Sequence, residues 1–230
     1  MTVLASAEWR VDVAGEPTTA RFDPATTEAA SPAQGVFVCA HGAGGHMADR
    51  AMERLTRVLR SRGLHIVRFN FLYREKGSRR PDPMPRLMTC VTAVVERVRQ
   101  ELTPERLFLG GRSMGGRAAS MLAAEGFACE GLLLFAYPLH PAGKPGQLRD
   151  AHLPAIQVPV LCFNGTRDEL CTVELMNRAL ERVHSDWTMH WLAGADHSFH
   201  VLKSSGRNDD AVLEEVGDVT ARWLAQRATA

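Results

Sequence analysis

No segment of this chain approaches the roughly 18 consecutive apolar residues of a membrane-spanning helix. Excess charge of either sign is missing too. With 27 Lys+Arg against 26 Asp+Glu the formal net charge is +1, so no bulk field argues for nucleic acid or an anionic membrane as a partner. Cysteine is scarce: Cys39, Cys90, Cys129, Cys162 and Cys171 are an odd set without zinc-type C-x-x-C spacing, and several sit in apolar runs where a thiol packs as a small hydrophobe. That pattern fits a reducing compartment, and no histidine–cysteine cluster has metal-ligand spacing, so neither a metal nor a cofactor is expected. Met1–Val13 carries Glu8, Arg10 and Asp12 where a signal peptide needs an unbroken apolar stretch. The expectation is a soluble, cytoplasmic protein whose partner is a small molecule; its oligomeric state is not readable. Internal repeats and low-complexity segments are absent as well.

What is present reads as one α/β domain over residues 1–230, a length that supports one well-buried core. Residues 1–34 hold two alternating segments, Glu8–Val13 and Thr18–Phe22, split by Gly15-Glu-Pro17, the pattern of an antiparallel edge hairpin. Beyond them strands and helices alternate. Strands are expected at Gly35–Ala40, Leu64–Phe71, Leu107–Leu109, Gly131–Tyr137, Val160–Asn164 and Trp187–Leu192. Helices are expected from Asp49 to Gly63, Arg86 to Leu102, within Ala118–Ala124, Thr172 to Val183 and Asp209 to Arg227, with a proline-broken loop over Leu72–Pro85. Buried strands alternating with helices imply a mostly parallel sheet covered on both faces, with any site on the loops at the strands' carboxyl ends.

The chemistry centres on Gly111-Arg-Ser-Met-Gly115. It follows a buried strand and opens a helix, as the G-x-S-x-G elbow does, where small flanking residues let strand and helix approach while a serine sits on a strained turn. A serine hydroxyl needs a histidine base and a carboxylate to orient that base. In the chain order Ser, Asp/Glu, His, the two strand ends after the elbow offer Asp168 in Gly165-Thr-Arg-Asp168 and His197 in Gly194-Ala-Asp-His197. Glu169 is the rival acid and His200 the rival base, while Asp196 reads as a turn former. Oxyanion donors are expected from the Met114 N–H and from Ala43 or Gly44 in the loop His41-Gly-Ala-Gly-Gly45. Other readings of the glycines fail: Gly110–Arg117 lacks the Gly-Lys-Ser/Thr of a P-loop, and Gly42–Met47 lacks the third glycine of a dinucleotide fingerprint.

Arg74, Lys76, Arg79, Arg80 and Arg86 make the loop after Phe71 basic, against Glu75 and Asp82. Its place at a strand's carboxyl end makes Arg74, Arg79 and Arg80 candidates for selecting an acidic substrate or partner, with a solvated loop as the plainer reading. His41, which could equally order its own loop, is a further candidate, as are Tyr137 and His140 in Tyr137-Pro-Leu-His140.

The chain resembles the small dienelactone-hydrolase-like α/β-hydrolases, and within them the branch containing testis-expressed protein thirty and the related subunit of a histone acetyltransferase complex. The resemblance runs from about Gly35 to the last helix. It rests on His41-Gly-Ala-Gly-Gly45, Gly110-Gly-Arg-Ser-Met-Gly115 with Arg117, Tyr137-Pro-Leu-His140, Leu148-Arg-Asp150, Asp196-His-Ser198 and Arg207-Asn-Asp209. It implies the α/β-hydrolase fold and a triad of Ser113, Asp168 and His197. The best-known dienelactone hydrolases use a cysteine where this chain has Ser113, so their substrate does not transfer. Too few residues separate Tyr137 from Val160 for a helical lid, which implies an open site for small or exposed acyl groups. The expected function is a serine hydrolase, carboxylesterase-like, acting on a soluble ester or thioester through an acyl-enzyme. The alternative is a catalytically silent interaction domain, which the branch's regulatory members suggest; a peptidase is disfavoured because no gating domain is present.

Overall fold

The computed structural model describes residues 4–26 and 35–227, so residues 1–3 and 27–34 of the expected N-terminal edge, and residues 228–230, lie outside the described residues. Among the described residues eight strands form one sheet in the order β1-β2-β4-β3-β5-β6-β7-β8. They are β1 Ala7–Val13, β2 Glu16–Asp23, β3 Val36–Ala40, β4 His65–Phe69, β5 Leu107–Arg112, β6 Gly131–Phe135, β7 Val160–Gly165 and β8 Trp187–Leu192. From β4 to β8 every pairing is parallel. The hairpin β1–β2 adds antiparallel at one edge, Phe22 opposite Val67 of β4. Alternation explains why the hairpin lies there: Trp9, Val11, Val13, Ala20 and Phe22 face inward, while Glu8, Arg10 and Asp12 stay exposed.

Among the described residues there are six helices: α1 Arg50–Ser61, α2 Leu72–Glu75, α3 Met84–Leu102, α4 Met114–Ala124, α5 Val173–Leu180 and α6 Asp209–Gln226. α1 and α6 cover one face with Met52, Leu55, Leu59, Val212, Val216 and Leu224. On the other face α3, α4 and α5 bury Leu87, Val91, Val94, Ala118, Leu122 and Met176. The central strands between them are fully buried, which is why they read as unbroken apolar runs. Caps fix the helix starts: the side chains of Asp49, Thr172 and Asn208 accept from Met52, Leu175 and Ala211 N–H respectively.

Several boundaries differ from the sequence reading: β4 and β6 stop at Phe69 and Phe135, two residues short of Phe71 and Tyr137, β5 runs on to Arg112, and α3 begins at Met84. The basic loop begins with the one-turn helix α2, which four residues are too few to announce. α4 starts directly after Ser113, ahead of the expected Ala118, because the two glycines that lower helix propensity are imposed by packing. α5 stops at Leu180, short of Val183. Residues 136–159, between β6 and β7, hold only a single 3-10 turn at Leu153–Ala155 and no helical lid.

At the antiparallel edge Asp23 pairs with Arg68 of β4, the Arg68 Nη2 donating across 2.7 Å with both side chains buried. The same guanidinium donates to Met47 O at 2.8 Å, tying the loop after β3 to this edge. Removing the cation leaves a buried carboxylate that, among the described residues, only the half-exposed Arg21 faces. Arg68→Met is therefore expected to cost roughly 3 kcal/mol in urea unfolding; a loss within 0.5 kcal/mol, the size of an ordinary surface substitution, would show that the pair does not hold this edge.

Candidate active site

The elbow is built by β5 running into α4. Ser113 has φ +48° and ψ −115°, a conformation unfavourable for any residue with a side chain. Such strain costs on the order of 1–3 kcal/mol and persists only where the surroundings dictate it. Here they do: a Cβ on Gly111 would lie 2.1 Å from Ala40 O, and one on Gly115 would lie 2.6 Å from the same oxygen. Strand β3 and helix α4 thus close on the turn from both sides. Ser113 N–H donates to Phe135 O at 2.9 Å, and its carbonyl accepts from Arg117 N–H at 3.0 Å.

Three side chains from three strand ends meet at this turn. His197 Nε2 lies 3.0 Å from Ser113 Oγ. On the other side of the ring, His197 Nδ1 lies 2.9 and 3.0 Å from the two oxygens of Asp168. The Asp168 side chain is fully buried, whereas the imidazole is about a quarter exposed. With the carboxylate at Nδ1, the neutral ring carries its proton there and presents Nε2 to the hydroxyl as an acceptor. Asp168 is itself held by two donors, Leu170 N–H at 2.8 Å and Asn164 Nδ2 at 2.9 Å. The rivals stand elsewhere: Glu169 is exposed, and the His200 ring pairs with Asp209 at 3.0 Å. Asp196 shapes its turn by accepting from Ser198 and His200 N–H.

Two cavities open on Ser113. One, of about 420 Å³, lies over α4 and the segment after β6; the other, of about 330 Å³, lies towards α1 and His197. Ala43, Ser113 and Leu170 line both. Ala43 sits in a turn closed by Gly45 N–H to Gly42 O at 3.2 Å, with Gly44 at φ +72° as the third residue. Met114, the first residue of α4, has an N–H without an intrahelical acceptor and lines the larger cavity. Gly44 lines neither cavity.

Several residues expected to touch substrate do not reach these cavities. His41 is fully buried. Its Nε2 accepts from Phe71 N–H at 3.2 Å, which puts the proton on Nδ1, 2.8 Å from Gly42 O, and its ring packs edge-on against Phe71. It therefore pins the loop after β3 to the loop after β4. Tyr137 is buried with its hydroxyl donating to Arg149 O at 2.8 Å, and His140 is buried with Nδ1 3.0 Å from Pro141 O. Strand ends place both at the right rim, but the side chains turn into the protein. Arg74 donates to Ser78 O, while Arg79 and Arg80 are exposed, and none of the three lines either cavity. Lys76 of the same loop and Arg86, in the first turn of α3, pair with Glu16 of β2.

Other residues near Ser113 had no role read from the sequence, although Arg112, Arg117 and Arg149 stand within the motifs that carry the resemblance. Asn164 bridges Asp168 and the Tyr137 backbone, and a lone amide ending a buried strand was its only mark. Arg112, inside the elbow, donates to His197 O at 3.0 Å and lies over the Phe199 ring at 5.5 Å, so it fixes the loop that carries the imidazole. Burial pushes its guanidinium below the ordinary arginine range. Arg117 and Arg149 line the larger cavity. Among the described residues no cluster of three or more His, Cys, Asp or Glu is placed to hold a metal ion.

Burial pushes His41 down to about 4 from an ordinary value of 6.5. Between those two pH values the unfolded chain binds a proton there that the folded chain refuses, so stability is full above pH 6.5 and falls as pH drops towards 4. The loss is on the order of 3 kcal/mol. His41→Gln keeps an acceptor for Phe71 N–H but cannot titrate. Urea unfolding at pH 7 and pH 4 should show a decline smaller by that amount in the variant; equal declines would place the acid sensitivity elsewhere.

Residues 33–225 match a family model described as an alpha/beta hydrolase domain. Among solved structures, Est1E from Butyrivibrio proteoclasticus bound to ferulic acid superposes with a TM-score of 0.77 at 17% identity, over 96% of this chain and 100% of that one. An α/β serine hydrolase without a lid from Xanthomonas campestris gives 0.72 at 24% identity, over 95% and 94% of the two chains. Dienelactone hydrolase from Anabaena variabilis gives 0.73 at 19% identity, over 96% and 97%. At these identities the likeness is one of fold.

Proposed function

Because the chain belongs to the α/β-hydrolase family, and because Ser113, His197 and Asp168 form one hydrogen-bonded chain, we propose that it is a serine hydrolase cleaving an ester or thioester of a small soluble substrate. The observation that carries this reading is the strained Ser113 with its hydroxyl 3.0 Å from His197 Nε2. Ser113 Oγ attacks the acyl carbon while its proton passes to Nε2. Asp168 keeps the ring in the required tautomer and stabilises the imidazolium that forms. The oxyanion accepts from Met114 N–H and Ala43 N–H; Gly44 is the less favoured donor because it lines neither cavity. Collapse of the tetrahedral intermediate breaks the acyl–oxygen or acyl–sulfur bond, and the leaving group takes the proton from His197. Water, deprotonated by the same imidazole, then releases the acid from Ser113.

The open segment between β6 and β7 supports small or exposed acyl groups as substrates. Within the family we assign the chain to the branch of testis-expressed protein thirty on the motifs given above. A silent scaffold is the less economical reading, since nothing in a protein–protein surface requires a serine at φ +48°. We also place the protein in the cytoplasm as a single domain. All five cysteines are free, which suits a reducing compartment. No described helix is long and apolar enough to cross a membrane.

Turnover of short-chain 4-nitrophenyl esters tests the proposal. Asp168→Asn should stay folded and lose roughly 10⁴ in kcat, while Glu169→Gln, at an exposed position, should stay within about twofold, the scatter expected of a substitution worth under 0.5 kcal/mol. The opposite ranking, or no turnover by the unaltered protein over the whole panel, would overturn it.

A further inference from the structure

We propose that the larger cavity beside Ser113 is an anion subsite, in which the guanidinium groups of Arg117 and Arg149 hold a terminal carboxylate or phosphate of the substrate. The proposal rests on the hydrolase reading above and names its substrate class: a short acyl ester ending in an anion. Both arginines line this cavity together with Ser113 and Met114. Among the described residues neither guanidinium has an ion-pair partner, and Arg117 Nε is buried without a hydrogen bond. The nearby carboxylates are committed elsewhere. Asp82 accepts from Tyr73 N–H at 3.1 Å and faces Arg86, and Asp150 pairs with Arg182.

Two like charges without a counter-charge in a partly desolvated cavity are costly unless an anion joins them. The electrostatics agree: burial, and next the charge of Arg117, lower the Arg149 pKa, and burial with the same charge pushes His152 down to about 4. His152, 2.8 Å from Ser120 Oγ, is thus a neutral neighbour that supplies no negative charge.

Geometry relates the subsite to the reacting atom. Arg117 follows Ser113 by one helical turn, its N–H bonded to Ser113 O, a rise of roughly 5–6 Å. Helical side chains lean towards the helix N-terminus, so the Arg117 side chain runs back towards the serine. Arg149 is anchored through its backbone, N–H to Leu139 O at 2.7 Å and carbonyl to Tyr137 OH at 2.8 Å, so its head group is presented from a fixed point. Met84, Leu87 and Pro138 line the same cavity and give an apolar path for the methylenes between ester and anion. An acyl chain of a few carbons spans the gap, and two planar guanidiniums suit two-pronged binding of the anion.

Two matched esters read the subsite, 4-nitrophenyl butyrate as the neutral one and mono-4-nitrophenyl glutarate as the anionic one. The ratio of kcat/KM, anionic over neutral, should exceed one in the unaltered protein. It should fall roughly tenfold or more in Arg117→Gln and in Arg149→Gln, mainly through KM, and less in Arg117→Lys. Neutralising Arg79 and Arg80 together should leave the ratio within about twofold, since exposed charges are screened. A ratio near one, or equal loss on both esters, would overturn the subsite and leave the hydrolase standing. If neither ester turns over, the hydrolase reading has failed, and calorimetry decides the subsite alone. Glutarate or inorganic phosphate binding to Ser113→Ala, lost when Arg117→Gln is added, supports it, the tighter ligand telling carboxylate from phosphate; binding of neither overturns it.

Discussion

Ser113 is held at φ +48° between a strand and a helix that approach too closely for any side chain at Gly111 or Gly115. That closeness comes from the sheet. In the parallel register Ala40 of β3 stands beside Gly111 of β5, and α4 packs its first turn over the same Ala40 backbone. A turn this tight lifts the hydroxyl off the end of the sheet, where the neighbouring strands deliver their own side chains. The local strain is stored against a core whose central strands are fully buried, which gives the surroundings enough rigidity to keep it. Loosen that packing and the serine relaxes out of reach of its base.

The hydrogen-bond chain from Ser113 to Asp168 joins residues 84 and 29 positions apart in sequence, and only the strand order makes them neighbours. It stands on a second set of contacts. Asn164 and Leu170 N–H satisfy the buried carboxylate, Arg112 holds the carbonyl of His197, and His41 ties the loop of Ala43 to the loop after β4. The Asn164–Asp168 and Phe71–His41 contacts are buried, so their atoms would be unpaired polar groups without their partners, and this support serves stability as well as position.

Much of this was legible in the sequence. The alternation of apolar strands and periodic helices prescribes a covered parallel sheet, and an edge hairpin shows as residues alternating inward and outward. The elbow is readable because its constraint leaves a compact mark: Gly111 and Gly115 are both demanded by the Ala40 backbone of the adjacent strand, and they flank the serine within five residues. The positions of Asp168 and His197 follow from the rule that loops after successive parallel strands share one rim. Side-chain direction past a strand end obeys no such rule. Tyr137 and His140 reach the rim yet turn inward, and His41 spends both ring nitrogens on backbone groups. Which arginines stay unpaired is a tertiary matter too: Arg86 reaches Glu16, Arg74 donates to Ser78 O and Arg79 and Arg80 face solvent, whereas Arg117 and Arg149 line the cavity at Ser113.

The central claim is that Ser113 is an activated nucleophile, and intact-mass spectrometry after exposure to a fluorophosphonate tests it most directly, because that probe takes the same nucleophilic path as an acyl group. The account predicts one adduct per chain, located at Ser113, absent from Ser113→Ala and formed far more slowly in His197→Ala. An unmodified mass for the folded, unaltered protein after prolonged exposure would contradict it.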